Sequence, residues 1–297
     1  AVGFLLVYWV KKYIIRKEVS HGIPSILYAV AKQKGIMKRF QAYGSILTAP
    51  ITIGFGGSVG LEGPMVVTGA GISSQVARLF HINQSDRMLL LACACAAALA
   101  AIFKVPLAGI LFAIEVFGLD LTLSSLLPLF VASLSGVLTS YIFFGNAALL
   151  PIYVGDSFLM RNIPFYLLLG VVGGFMSAYF TFVYEGVNRF FSKFSSAYLR
   201  IVIGGAILGL LVFVMPPLYG EGHEVINHLK AGHPELSISS NIFGWNLENP
   251  WVVILLLGGL VLFKVVATSV TFGAGGVGGI FSPMLFMGGV MGNCFAR

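Results

Sequence analysis

The chain has 297 residues, of which 58% are hydrophobic and only 10% are charged. Soluble domains carry roughly a quarter charged residues, so this composition excludes an ordinary soluble enzyme and indicates a polytopic protein of the lipid bilayer. The net charge of +7 could suggest nucleic acid, but eight of the eighteen basic residues fall between residues 11 and 39. Such clustering is typical of a cytoplasmic edge under the positive-inside rule, so we expect no nucleic-acid partner.

Helices separated by glycine and proline breaks are predicted along the first half of the chain. The first helix leaves the membrane at a basic stretch, and Ser20 to Pro24 then starts a short second helix, because proline suits a first helical turn. A second break, Gly60 to Pro64, interrupts a long apolar region. The helices predicted in this half cover residues 2–15, 24–32, 42–55, 62–80, 89–103, 106–119 and 123–145.

The least hydrophobic region, residues 146–163, is predicted to connect two membrane halves. We assign residues 1–147 to the first half, 148–163 to the connection and 164–297 to the second half. Both ends of the chain lie in apolar helical sequence, so we expect the chain to be truncated at both. The second half is predicted to contain helices at 164–194, 199–215 and 251–272, with a polar segment at 219–250.

Two segments of the chain are copies of one another. Residues 52–69 (TIGFGGSVGLEGPMVVTG) and 271–288 (TFGAGGVGGIFSPMLFMG) agree without a gap at eight of eighteen positions, including a paired Pro-Met and five of the glycines. Glycine abundance inflates such a match, but the shared spacing favours an internal repeat. Glycine-broken apolar segments in corresponding halves point to the binding site of a transporter near the bilayer midplane.

Glu62 is the only charged residue between Gln41 and Ala77. A carboxylate in the first turn of a helix stabilises that helix as a cap. Capping alone does not explain why a charge is held at membrane depth. We therefore predict that Glu62 is a functional carboxylate that takes up and releases a proton.

Three breaks, at His21 to Pro24, Gly60 to Pro64 and Gly279 to Pro283, each begin a helix inside the membrane. A helix start leaves backbone N–H groups without intrahelical partners and carries the positive end of the helix dipole. Such ends bind anions, and glycine permits a close backbone approach. Glycine and proline are common in membrane helices, so a single break would carry no weight. Three breaks, two of them repeated, predict an anion site.

The strings HGIP, GLEGP and GIFSP, in this order, resemble the three signature segments of the CLC chloride channel and transporter family, written GSGIP, GxEGP and GxFxP. LAGILFAIEV and GEGHE, at 107–116 and 220–224, are also similar to that family. The resemblance covers nearly all of the chain. It implies an all-α membrane protein of two inverted halves with broken helices, assembled as a homodimer with one pore per subunit. It also implies that the family's first helix and last helices are missing.

The resemblance assigns roles to individual residues. Glu62 takes the position of the family's gating glutamate, which competes with an anion for the outer site and swings away when it is protonated. The central anion is expected at the N–H groups of Ile280 and Phe281, and the inner end of the pathway at the second helix start. The full set of predicted anion-binding residues is His21, Gly22, Ile23, Leu61, Gly63, Gly279, Ile280 and Phe281.

The chain departs from the family pattern at two positions. His21 stands where the family usually has an anion-contacting serine, and its alternative role is that of an interfacial histidine facing water or headgroups. Val116 stands where proton-coupled members commonly carry an inner glutamate, as in passive channels. The sequence therefore leaves three functions open: chloride transport linked to protonation of Glu62, passive chloride conduction and fluoride/proton exchange.

A metalloenzyme is the alternative from another class. His223-Glu224 followed by His228 resembles a zincin motif, but that motif places its second histidine four residues after the first, and here the gap is five. Cys93, Cys95 and Cys294 lie in apolar sequence without the spacing of a metal site or a disulfide framework. We expect neither a metal nor a cofactor. The expected partners are chloride or a similar small anion, protons and lipid, in a prokaryotic inner or plasma membrane.

Overall fold

The structure is a computed structural model that describes residues 1–17, 19, 22–145, 159–231 and 250–296. Within these ranges the regular structure is helical, as predicted, apart from one isolated bridge between two glycines. The helices are α1 (Val2–Trp9), α2 (Ile23–Lys32), α3 (Gly44–Gly54), α4 (Glu62–Leu79), α5 (Gln84–Phe103), α6 (Pro106–Phe117), α7 (Leu123–Phe144), α8 (Ile163–Ser192), α9 (Ala197–Val214), α10 (His223–Lys230), α11 (Pro250–Gly273) and α12 (Phe281–Ala296). Most bounds agree with the predicted helices to within a few residues.

One helix bound and one additional helix differ from the prediction, each for a local reason. Helix α5 begins at Gln84, five residues early, because the Asn83 side chain accepts a hydrogen bond from the Asp86 N–H at 2.9 Å and caps the helix. Helix α10 lies inside the segment that was predicted only as polar. Its first residues are polar, but Val225, Ile226 and Leu229 are buried, so one apolar face holds the helix against the core.

Five of the described helices are long and apolar enough to cross a membrane. They are α5, α7, α9, α11 and the span that contains α8, at Gln84–Phe103, Leu123–Phe144, Ala197–Val214, Trp251–Gly273 and Met160–Ser192. Others are shorter apolar helices, such as α3, which ends at one glycine break, and α12, which begins after the other. The backbone groups freed at those breaks must find partners inside the protein, because lipid offers none.

The buried apolar side chains form two main cores. One joins α2, α4, α5, α6 and α7 around residues such as Leu91 and Leu129, both fully buried. The other joins α1, α8, α9, α10, α11 and α12 around Leu257 and Phe286. The two glycine breaks lie between these cores and bring them together.

The two copies of the predicted repeat pair with each other at the centre of the molecule. The Gly60 N–H donates to the Gly279 carbonyl at 2.9 Å, and the Gly279 N–H donates to the Gly60 carbonyl at 2.7 Å. Each copy also turns at an equivalent glycine, Gly56 with φ 102° and Gly275 with φ 93°. Side-chain-bearing residues rarely adopt these angles, so glycine is required where α3 and α11 leave the helical path.

Candidate functional site

Three helix starts meet at one point. A Cβ atom placed on Gly63, at the start of α4, would lie 3.0 Å from the Cα of Gly279 and 3.4 Å from the Cα of Gly22. Gly279 precedes α12, and Gly22 caps the start of α2 with φ 60°. Glycine at all three positions allows the backbones to approach this closely. The positive dipole ends of α2, α4 and α12 therefore converge, which favours an anion or a carboxylate at the junction.

The predicted anion-binding residues differ in how their backbone groups are used. The Leu61 N–H donates to Glu221 Oε1 at 2.8 Å, and the Gly279 N–H is taken by the bridge to Gly60. Ile280 and Phe281 lie at the start of α12, where a helix has no intrahelical acceptors for its first N–H groups. Gly22 and Ile23 begin α2. His21 lies outside the described residues, so its role stays a prediction.

Glu62 lies in the first turn of α4 and is 2% exposed. Its Oε1 accepts a hydrogen bond from the hydroxyl of Ser282, which belongs to the first turn of α12. Among the described residues, Oε2 of the same carboxylate has no hydrogen-bond partner. A buried carboxylate oxygen without a donor is costly.

A chain of polar side chains continues from Glu62 through Ser282. His223 Nε2 lies 3.3 Å from Ser282 Oγ and 3.6 Å from Glu62 Oε1. On the other side of the ring, His223 Nδ1 lies 3.2 Å from Glu221 Oε2. The order carboxylate, imidazole, hydroxyl is that of a serine hydrolase triad. Here, however, the hydroxyl is fully buried and donates to a second carboxylate, so the group forms a hydrogen-bond chain.

Lys264 supports this chain from α11. The side chain is fully buried, and its ammonium group donates to the carbonyls of Gly220 at 2.8 Å and Leu218 at 3.3 Å. It also lies 4.8 Å from the centre of the Phe286 ring. Lys264 therefore holds in place the loop that carries Glu221.

Glu62, Glu221 and His223 face a cleft of about 1300 Å³ between α4, α5, α7 and α10. Most of its wall is apolar, and Glu224, Asn227 and His228 add polar groups on the α10 side. The cleft reaches both the polar chain and the start of α4, since Leu61 lines it as well.

Sequence reasoning found Glu62 but did not find its neighbours. Ser282 is 220 positions after Glu62 in the chain, and His223 lies in another helix, 59 positions before Ser282. Position 282 aligns with Gly63 in the sequence repeat. That alignment gave no reason to expect a contact between the Ser282 hydroxyl and the Glu62 carboxylate. His223 and Glu221 were weighed only in a metal motif and a family string, so no signal linked them to Glu62.

Comparison with known proteins shows the family of this chain. Residues 2–297 match the family described as Voltage gated chloride channel. The chain belongs to the voltage-gated chloride channel family. The CLC resemblance drawn from the three breaks is therefore confirmed.

Relatives with curated names agree with the family. A ClcB-like chloride channel protein of Ralstonia nicotianae is 28% identical over 289 residues, which is 95% of this chain and 62% of the relative. A voltage-gated ClC-type chloride channel, ClcB, of Citrobacter koseri is 27% identical over 253 residues, which is 84% of this chain and 56% of the relative. The chain thus spans less than two thirds of the length of these two CLC relatives.

Solved structures agree on the fold. A CLC-type fluoride/proton antiporter superposes with a TM-score of 0.75 at 22% identity, covering 98% of this chain and 69% of its own. A slow cyanobacterial Cl⁻/H⁺ antiporter superposes with a TM-score of 0.79 at 20% identity, covering 100% and 66%. The predicted fold class, an all-α polytopic membrane protein of CLC type, is confirmed.

Proposed function

We propose that the chain forms the transport pathway of a chloride-conducting CLC protein in which Glu62 is the gate. The observation that carries this proposal is the position of Glu62, buried at the meeting of three helix starts with one carboxylate oxygen unpaired. An anion and a carboxylate suit the same positive environment. Glu62 and a transported anion therefore compete for one position, and the anion passes when Glu62 leaves.

Protonation is the event proposed to release Glu62. A neutral carboxylic acid loses most of its attraction to the helix dipoles, since that attraction depends on the negative charge. Burial disfavours the charged form in addition. The proposed gate is therefore sensitive to pH, whether or not each proton is exchanged for chloride.

Chloride is the proposed ion because the two relatives are named chloride channels. One solved neighbour is named a fluoride/proton antiporter, so fluoride is the alternative substrate. Val116 favours conduction with weak proton coupling, because an apolar side chain at this position does not relay a proton by ionising. Val116 packs against the core of the first half.

Assembly as a homodimer is part of the same proposal. Helix α7 exposes large apolar side chains along much of its length, including Leu127 at 61% and Ile142 at 80%. Such a face suits either lipid or a second copy of the protein. Glutaraldehyde crosslinking of the purified protein, followed by light scattering, distinguishes a dimer from a monomer in lipid.

The proposed function is tested by measuring chloride and proton fluxes together from liposomes that contain the purified protein. Chloride efflux that rises at acid pH and is selective against cations supports the proposal. Absence of chloride flux at every pH, from protein that elutes as a single species, contradicts it. Replacing internal chloride with fluoride in the same assay decides between the two anions.

A further inference from the structure

We propose that His223 supplies the proton that neutralises Glu62, and that the Ser282 hydroxyl passes this proton on. The proposal rests on the proposed role of Glu62 as a gate and adds the route by which the proton arrives. It makes His223 a proton donor and Glu221 the residue that orients it.

The number of hydrogen-bond donors and acceptors in the polar chain supports this proposal. A serine hydroxyl has one proton to donate, and Ser282 donates it to Glu62 Oε1. The 3.3 Å contact between Ser282 Oγ and His223 Nε2 is then a hydrogen bond only if Nε2 is the donor. The opposite nitrogen, Nδ1, faces Glu221 Oε2 at 3.2 Å and donates there. With Glu62 and Glu221 both ionised, a hydrogen bond at each of these contacts needs a proton on each nitrogen of His223.

The same three side chains have a second fully paired arrangement with the same number of protons. In it the His223 Nε2–H bond has broken and a new Oγ–H bond has formed on Ser282. The original Ser282 proton has moved to Glu62 Oε1, which now donates to Ser282. Ser282 in turn donates to the unprotonated Nε2. His223 has become neutral and Glu62 has become a neutral acid, without any unpaired group being created along the chain.

The two arrangements correspond to the two states of the gate. In the first, an ionised Glu62 is held by the helix starts and by the imidazolium. In the second, both attractions are lost together, because the charge on the carboxylate and the charge on the ring disappear in one step. The protonated side chain is then free to leave, and a proton taken up from bulk solvent returns to Nε2 through the water that replaces Glu62.

From Glu62 to His223 and Glu221, the charged and titratable side chains of the polar chain become more exposed. The side chains of Glu62, His223 and Glu221 are 3%, 9% and 22% exposed. Glu221 Oε1 also accepts the Leu61 N–H at 2.8 Å, so this carboxylate ties the outer end of the chain to the start of α4. The Glu221 end of this polar chain is therefore the end nearest to the cleft.

Charged groups surround His223. Glu62 and Glu221 lie on the two sides of its ring, and the buried Lys264 donates to the carbonyl of Gly220, the residue before Glu221. The other titratable groups that line the same cleft are Lys104, Glu224 and His228.

The test is the speed at which chloride flux responds to a rapid drop in external pH, measured by stopped flow on liposomes containing the purified protein. We expect His223→Gln and Ser282→Ala to activate at least tenfold more slowly than the wild type, because general acids contribute about 10²–10⁴-fold to proton transfer. Ser282→Thr, which keeps the hydroxyl, should activate within twofold of the wild type. His228→Gln is the matched control, because His228 is on the same helix but is not part of the hydrogen-bond chain from Glu221 to Glu62. Its activation rate should also stay within twofold of the wild type.

Chemical rescue separates a proton donor from a residue that only fills space. Imidazole added to the buffer should restore the activation rate of His223→Ala at least fivefold, since it replaces the missing acid, and should leave Ser282→Ala slow. Unchanged activation in His223→Gln, or equal slowing by Ser282→Ala and Ser282→Thr, would overturn the relay. If a His223 variant does not fold, the Ala and Thr variants at position 282 decide alone. Absence of chloride flux in the wild type contradicts the proposed function instead, while flux without acid activation overturns the relay.

Discussion

Thr52 and Thr271 make the same hydrogen bond in opposite directions across the centre of the molecule. The Thr52 hydroxyl oxygen accepts the N–H of Val277 at 3.0 Å, and the Thr271 hydroxyl oxygen accepts the N–H of Ser58 at 3.1 Å. Each threonine comes from one copy of the repeat and pairs with the loop of the other. Both side chains are buried and also donate to a carbonyl one turn earlier in their own helix. The two breaks are thus held together by reciprocal contacts.

Replacing either threonine by valine should destabilise the protein to a similar extent. Thr52→Val and Thr271→Val keep the side-chain shape but leave a buried loop N–H without an acceptor, which costs about 1–3 kcal/mol. Thermal unfolding in detergent measures the loss. Thr181→Val, which removes only an exposed bond to the Ser177 carbonyl, is the control and should change stability little. A large loss for one threonine and none for the other would contradict the reciprocal arrangement.

Glu62→Gln should make chloride flux insensitive to pH. An amide does not titrate, and it lacks the charge that holds the gate against the helix starts, so anions pass at both acid and neutral pH. Liposome efflux across this pH range gives the readout, with simultaneous proton measurement. Glu115→Gln, an exposed carboxylate on α6, should retain the pH dependence of the wild type. Uphill proton transport that persists in Glu62→Gln would show that another group carries the proton.

Gly63→Ala should impair both stability and transport. The added Cβ would lie 3.0 Å from the Cα of Gly279, and because backbone cannot move aside as a flexible side chain does, we expect a cost of about 1–3 kcal/mol. Separation of the helix starts should also weaken anion binding, measured by calorimetry. Gly174→Ala on α8 is the control, because a Cβ there meets nothing within 4 Å. Normal binding and stability in Gly63→Ala would mean that the three starts do not need close contact.

Bound anion should lie against the N–H groups of Ile280 and Phe281. These residues begin α12, so their amides and the helix dipole attract a negative charge. Crystals soaked in bromide locate the anion by its anomalous signal, and Glu62→Gln crystals should show a second site where the carboxylate was. Bromide found only beside surface lysines would refute the prediction.

Proton coupling should be weak, because Val116 stands where the CLC resemblance leads us to expect a glutamate in proton-coupled members. Proton flux in the wild type should be well below chloride flux, without a fixed ratio between them. Val116→Glu should raise proton movement, while Val116→Leu should leave it unchanged. A constant stoichiometry in the wild type would show that protons reach Glu62 from the inner side by another route, such as water.

The sequence by itself determined the membrane class, the repeat and the helix breaks, and it singled out Glu62 as a lone charge in an apolar region. These properties are local, because an apolar run, a glycine at a forced turn and a lone charge at membrane depth can each be read from neighbouring residues. The polar segment at 219–250 was harder to interpret, since α10 is only eight residues long and its apolar face comprises three buried side chains.

Only the tertiary structure decided which groups surround Glu62. Ser282 reaches the carboxylate because the antiparallel bridge between Gly60 and Gly279 places the first turn of α12 beside that of α4. His223 reaches both because Lys264 fixes the loop before α10. Contacts between elements so far apart in the chain depend on how the helices cross and on which side chains are packed between them. No local sequence pattern encodes that geometry. The polar chain from Glu221 to Glu62 is therefore visible only in the tertiary structure, where α10 and α12 pack beside α4.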